Sequence, residues 1–284
     1  MLNKNVEVFM ACEKEAHEAD IVLFGAPFDS TTSYRPGTRF GSSAIRRESY
    51  GIECYSPYQD KDLEDTKVMD CGDLELCFGN TKKALAQIEE QTKEILACSA
   101  IPFMLGGEHL VTLGAFRAVR ENYPDIHIIH FDAHADLREE YLGEQLSHAS
   151  VIRRCWELVG DGRIYQFGIR SGDREEFYWG KDHVTTRKFD FEGLEEVLDK
   201  LEGKPVYFTL DLDVLDPSVF PGTGTPEPGG VTFDELRRAA EKVCSRANVV
   251  ACDVNELSPH YDQSGISTAA ACKIVREMLL ALSK

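Results

Sequence analysis

Residues 101–136 read I-P-F-M-L-G-G-E-H-L-V-T-L-G-A-F-R-A-V-R-E-N-Y-P-D-I-H-I-I-H-F-D-A-H-A-D. Two short apolar runs, 101–105 and 126–131, flank an amphipathic stretch over 110–122. Neither apolar run alternates with polar residues, as expected of strands covered on both faces. The spacing therefore predicts strand, helix, strand, with polar residues placed just after each strand.

The same rhythm extends outward in both directions. Further strands are expected at 21–25, 67–71, 163–169, 183–189, 206–212 and 249–254. Further helices are expected at about 42–50, 80–98, 148–160, 191–202, 232–246 and 267–282. Thr232 with Glu235 reads as a capping box, and Ser267 or Thr268 as the cap of the last helix. There are no repeats and no Pro/Gly/Ser linker, so one domain over 1–284 is expected. Strand–helix alternation implies an α/β fold: three layers, αβα, around an eight-stranded, largely parallel sheet.

Ligands of such sheets gather beyond the carboxyl ends of the strands. G-G-E-H follows 101–105 and ends in His109. Paired glycines let the backbone turn sharply and approach a ligand. D-A-H-A-D follows 126–131. In extended backbone Asp132, His134 and Asp136 would share one face. Two carboxylates and an imidazole crowded together call for a cation among them. D-L-D-V-L-D-P carries Asp211 and Asp213, although D-x-D alone is common in turns, and Asp216 before Pro217 reads as a turn residue. Glu256 follows the run 249–254, and Asp253 within that run reads as a buried, hydrogen-bonded acid. Carboxylate and imidazole donors without thiolate suit Mn²⁺ or a related divalent ion. Six candidate ligands are enough for two ions about 3.5–4 Å apart, a pair that lowers the pKa of a shared water.

Composition narrows the classes. The 284 residues carry 31 Lys and Arg against 49 Asp and Glu, a formal charge of −18. That balance disfavours a nucleic-acid binder and adhesion to anionic membranes. No run approaches the roughly 18 apolar residues of a membrane span. Acidic residues interrupt the N-terminal stretch 1–15, so no secretory signal is expected there. Nine cysteines without a C-x-x-C pair read as free thiols in a reducing cytoplasm. Cys98, Cys155, Cys244 and Cys272 fall in apolar runs, where Cys serves as a small hydrophobe.

Taken together these blocks resemble the ureohydrolases, the family of arginase, agmatinase and their relatives. G-G-E-H (106–109), D-A-H-A-D (132–136), D-L-D-V-L-D-P (211–217) with the loop T-G-T-P-E-P-G-G (223–230), and D-V-N-E-L-S-P (253–259) are similar to the family's motifs. P-F-D-S-T-T-S-Y-R-P-G-T-R-F-G (27–41) looks like its N-terminal loop. Three departures from the common pattern touch no ligand in it: Glu108 where many relatives have Asp, Thr209 for Ser, and Ser42-Ser43 for Gly-Pro.

The resemblance implies an arginase-like fold and two Mn²⁺ per subunit. One ion would be held by His109, Asp132, Asp136 and Asp211, the other by His134, Asp132, Asp211 and Asp213. Asp132 and Asp211 would bridge, along with hydroxide. Glu256 would bind the substrate guanidinium, while His148, with Asp136, would handle protons. It also implies a homo-oligomer, a trimer or hexamer. The loop 137–147 carries Glu139, Glu140 and Glu144 against Arg138. That acidic rim, with Glu139 foremost, favours a small guanidino substrate whose far end is an ammonium. Together with S-H-A-S at 147–150 this points to agmatine, cleaved to putrescine and urea. Guanidinobutyrate, arginine and formiminoglutamate remain alternatives, as does a protein that binds metal or polyamine without turnover.

Overall fold

The computed structural model describes residues 7–283. Residues 1–6, the start of the N-terminal stretch read above, and Lys284 lie outside the described residues. In chain order the elements are β1 (Ile21–Gly25), α1 (Gly41–Ser49), β2 (Tyr55–Ser56), β3 (Lys61–Asp62), β4 (Val68–Asp73), α2 (Thr81–Ala97), β5 (Ile101–Leu105), α3 (Val111–Asn122), β6 (His127–Phe131), α4 (Val151–Val159), β7 (Ile164–Ile169), α5 (Arg174–His183), β8 (Thr185–Lys188), α6 (Leu194–Lys200), β9 (Pro205–Asp211), α7 (Phe233–Arg246), β10 (Asn248–Asn255) and α8 (Ile266–Leu282).

Eight strands form one parallel sheet in the order β4-β1-β5-β10-β9-β6-β7-β8. β2 and β3 pair as a small antiparallel hairpin outside it. Side chains alternate between the two faces, as the strand period of two demands. Ile21 and Leu23 of β1, and Val206, Phe208 and Leu210 of β9, pack in a core with residues of α1, α6, α7 and α8. Val22, Phe24 and Tyr207 face the opposite core, built with α2, α3 and α4. This is the three-layer α/β architecture expected from the alternation.

The strand order places the chemistry. The chain builds the β4 side first, crosses to β6, β7 and β8, and returns to insert β9 and β10 in the middle. The four strands that precede the sequence motifs, β5, β10, β9 and β6, are therefore consecutive neighbours. Their carboxyl ends converge where the connections leave in opposite directions, the usual ligand site of an open α/β sheet.

Local signals mostly hold. Glu235 N–H donates to Thr232 Oγ1 at 3.3 Å and Thr232 N–H to Glu235 Oε2 at 2.8 Å, so the expected capping box starts α7. Asp216 accepts from the backbone of Ser218, Gly229 and Gly230, a turn residue as read. The cap of α8 differs: Gly265, at φ +77°, precedes the helix, and Ser267 and Thr268 lie inside it. Asp262 takes the Ser267 N–H instead, at 2.7 Å. Helix α5 was not expected, because its F-Y-W-G-K core has no clear 3.6-residue pattern. Its signal is the pair Asp173 and Glu176, which form a full capping box. All nine cysteines are free; Cys155, Cys244 and Cys272 are buried, whereas Cys98 ends α2 exposed. No helix among the described residues is long and apolar enough to cross a membrane.

Candidate active site and metal centre

Each motif reaches the site by its own local device. Gly106 and Gly107 carry the chain from β5 over the N-terminal loop. A Cβ on Gly107 would sit 2.0 Å from the Phe28 carbonyl oxygen, so no other residue fits this crossing. The buried His109 side chain then reaches Thr209 near the end of β9. The D-A-H-A-D segment does not continue as a strand, since β6 ends at Phe131. Asp136 has φ +53°, left-handed backbone that an Asp rarely adopts. The three side chains converge through a tight loop rather than the period-two face inferred from sequence. Asp211 and Asp213 also meet differently: residues 212–214 form a 3-10 turn, capped by Asp211 Oδ1 accepting the Asp213 N–H at 2.8 Å.

The result is a buried cluster. His109 Nδ1 lies 3.0 Å from Asp132 Oδ2, and 3.3 Å from both Asp136 Oδ2 and Asp211 Oδ2. His134 Nδ1 lies 2.9 Å from Asp213 Oδ2 and 3.5 Å from Asp132 Oδ1. All six predicted ligands are thus brought together. The charge state shows the strain of the arrangement. Burial, with the neighbouring charges of Asp213 and Asp132, holds the Asp211 carboxyl well above the usual range. Burial and Asp132 push Asp136 up to about 7. Burial opposes a charge on His109, but the surrounding carboxylates of Asp132, Asp136 and Asp211 win and hold its imidazole well above the usual value.

These residues fit divalent metal. His109 Nδ1 is buried and has no hydrogen-bond partner, although three carboxylates surround it. A cation at that point satisfies the orphaned nitrogen and neutralises the crowded acids. Two groups of ligand-type side chains, with atoms within 4.8 Å of one another, share Asp132: one with His109, which His130 flanks, and one with His134 and Asp213. The shared carboxylate suggests a binuclear centre.

A network missed at the sequence level supports the cluster. Thr209 Oγ1 sits 2.8 Å from His109 Nε2 and donates to Asp253 Oδ1 at 2.6 Å. Tyr207 and Asn255 also donate to Asp253, which is buried and hydrogen-bonded as read. His130, on β6 directly beneath the motif, contacts Asp132. It was passed over because it lies inside an apolar run. Glu108 likewise had no assigned part. It accepts from Thr31 N–H at 2.8 Å and Thr32 Oγ1 at 3.1 Å, pinning the N-terminal loop.

That loop in turn holds His148. The backbone N–H of His148 donates to Thr31 Oγ1 at 3.1 Å, and its Nδ1 lies 3.0 Å from the Thr31 carbonyl. A carbonyl only accepts, so Nδ1 carries the proton. Nε2 keeps its lone pair, 3.3 Å from Ser33 Oγ. Burial pushes the His148 pKa down to about 4. Glu256, at φ +68°, accepts the His109 N–H on Oε1 at 2.7 Å. Burial and Asp213 hold its carboxyl well above the usual range.

A cavity of about 260 Å³ joins these groups, lined by His134, Asp136, His148 and Glu256 together with Arg138, Tyr141, Asp173 and Glu176. Glu139, Glu140 and Glu144 are exposed and do not line it. The acids outside the cluster that do line it are Asp173 and Glu176, with Arg138 between them at 3.2 and 3.4 Å. They belong to the helix-start box of α5, the element the sequence reading lacked.

The chain belongs to the arginase family of ureohydrolase enzymes, whose signature matches residues 19–281. The agmatinases of Bacillus anthracis and Bacillus subtilis are each 50% identical to it, over 96% of both chains and over 98% of this chain and 97% of the other, respectively. A crystal structure of a Clostridium difficile protein superposes with a TM-score of 0.93 at 52% identity, covering 95% of this chain and 99% of that one.

Proposed function

We propose that this enzyme hydrolyses agmatine to putrescine and urea with two Mn²⁺ ions. The observation that carries the reading is the set of acids lining one small cavity. Glu256 stands beside the His/Asp cluster, and Asp173 and Glu176, which are outside that cluster, line the same cavity. A flexible dication with a guanidinium at one end and an ammonium at the other has one positive group for Glu256 and one for the other pair. The agmatinases at 50% identity support the same choice.

His109, Asp132, Asp136 and Asp211 would hold one ion, and His134, Asp132, Asp211 and Asp213 the other. Carboxylate oxygens with imidazole favour manganese over zinc. When bound, such a pair lowers the pKa of a water held between the ions, so that hydroxide is available near neutral pH.

The rest is the work of the chain. Glu256 Oε1 is occupied by the His109 amide, so Oε2 is the oxygen free to grip the guanidinium by charge-assisted hydrogen bonds. This fixes the planar carbon over the cluster and spends entropy before reaction. Attack of water on that carbon releases a proton. Asp136, in the cluster beside that carbon, would receive it. The departing amine must gain a proton, and Asp136 or His148, through Nε2, supplies it. His148 is neutral at rest and delivers only a proton it has first accepted. Asp173 and Glu176, rather than the exposed Glu139, meet the ammonium. Arg138 tempers their charge and is the group that would serve a carboxylated substrate.

The same reading carries a single domain over residues 1–284, a trimeric or hexameric assembly and a cytoplasmic location. The test is a substrate panel. Mn²⁺-loaded protein is incubated with agmatine, arginine, guanidinobutyrate and formiminoglutamate, and release of urea or formamide is measured. Urea from agmatine at the highest kcat/KM supports the proposal. Faster turnover of any of the others, or none at all, overturns it.

A further inference from the structure

His130 is wholly buried in the middle of the sheet, yet both its ring nitrogens are engaged. Nε2 lies 2.8 Å from Asp132 Oδ2, and Nδ1 lies 3.0 Å from Gln166 Nε2 on the neighbouring strand β7. The Gln166 amide cannot turn over. Its Oε1 accepts the Thr186 hydroxyl at 3.0 Å, and its Nε2 donates to the Ala135 carbonyl at 2.7 Å. An amide nitrogen carries two hydrogens and accepts none. The second hydrogen of Gln166 therefore points at His130 Nδ1, which must be the unprotonated nitrogen. The single ring proton of a neutral His130 is then on Nε2, aimed at Asp132.

Asp132 is consequently held at both oxygens. Oδ2 accepts from His130, and Oδ1 accepts the backbone N–H of His134. One lone pair on each oxygen is taken, and the carboxylate plane is fixed with its remaining lone pairs free.

We infer that His130, locked in one tautomer by Gln166 and Thr186, is a positioning residue that presents Asp132 as a ready-made bridge between two metal ions. The inference rests on the two-ion reading above. His130 is not itself a ligand, since neither ring nitrogen has a lone pair to spare. The locking chain runs from the edge strand β8 through β7 to β6. It also ties the Ala135 carbonyl, inside the metal-binding loop, to the sheet. A preset bridge matters because a carboxylate free to rotate loses freedom when it binds, and partners that orient a ligand typically alter metal affinity 10–100-fold.

Two variants separate orientation from mere packing. His130→Phe keeps a ring of similar size and removes the donor. His130→Gln places an amide N–H near the position of Nε2. Mn²⁺ binding is followed by calorimetry, and the coupled two-ion signal by electron paramagnetic resonance. His130→Phe should weaken binding at least about tenfold and lose the coupled signal at stoichiometric metal. His130→Gln should restore both to near the native level. Native affinity in His130→Phe, or equal loss in both variants, overturns the inference. Should His130→Phe fail to fold, ¹⁵N correlation spectra of the native protein read the tautomer directly. A proton on Nε2 supports the inference, and one on Nδ1 overturns it. The native titration reports the number of ions by itself, so failure of the two-ion reading shows there, apart from any comparison of variants.

Discussion

Glu256→Gln is nearly isosteric, yet it removes the charge facing the guanidinium. Oε1 already accepts the His109 N–H at 2.7 Å. In the variant the amide oxygen must keep that bond, or the buried His109 N–H goes unpaired. The amide NH₂ is then forced into the place of Oε2, against the N–H groups of the substrate. Loss of a charge-assisted hydrogen bond costs about 1.5–3 kcal/mol. Truncating one side of a buried charge pair costs about 2–5 kcal/mol in all. Taking about 4 kcal/mol, at 1.36 kcal/mol per tenfold, kcat/KM should fall roughly 10³-fold. The assay is urea release from agmatine by metal-loaded protein, with metal content measured on the same sample. Metal should stay at the native level, because Glu256 is outside the proposed ligand set. A kcat/KM within about tenfold of native, with metal retained, would refute the placement of the guanidinium.

Four further outcomes are expected. Asp211→Asn should lose bound divalent metal and urea release together, since Asp211 is assigned to both ions; full retention of either contradicts that sharing. His148→Asn should keep its metal and lose roughly 10²-fold in turnover, and unchanged kcat across pH removes His148 from proton transfer. Arg138→Gln leaves Asp173 and Glu176 unneutralised; at this partly exposed site the change is about 1 kcal/mol, so KM for agmatine should fall severalfold at low salt while guanidinobutyrate binds worse. An unaltered ratio between the two substrates counts against assigning Asp173 and Glu176 to the ammonium. Asp262 tests the start of α8. Burial works against its charge, but hydrogen bonds from Ser264 and Ser267 hold its pKa down to about 2. The unfolded value is about 3.9, so its stabilisation is complete above about pH 4 and is lost as pH falls through about 2. Asp262→Ala should cost about 1 kcal/mol in urea denaturation at neutral pH, with the gap shrinking in acid. An equal gap at both pH values contradicts the cap.

Much of this was readable from residues alone, for a physical reason. Parallel strands buried on both faces leave continuous apolar runs, and the inner strands of the sheet show them, whereas the edge strand β8 reads T-T-R-K with no buried residue. Because ligands collect after such runs, His109, Asp132, His134, Asp136, Asp211, Asp213 and Glu256 stand out as candidates without coordinates, and the fold brings them together. What misled was backbone detail. The D-A-H-A-D residues were read as extended, but Asp136 is left-handed, and convergence comes from the loop. Glu139 was favoured because acids dominate the stretch after Asp136. Asp173 and Glu176 line the cavity and Glu139 does not; they are distant in sequence and start a helix whose apolar pattern is too irregular to detect. His130 and Gln166 were invisible for the opposite reason: inside buried strands a polar side chain looks like a defect until its partners are seen.

The central claim is that paired metal sites in this chain serve cleavage of agmatine. Its most direct test is a single preparation in which bound manganese per chain is counted and the products from agmatine are quantified. Two ions per chain, with urea and putrescine formed in equal amounts, are predicted. Two ions with no urea, or undiminished urea release from protein holding a single ion, would contradict it.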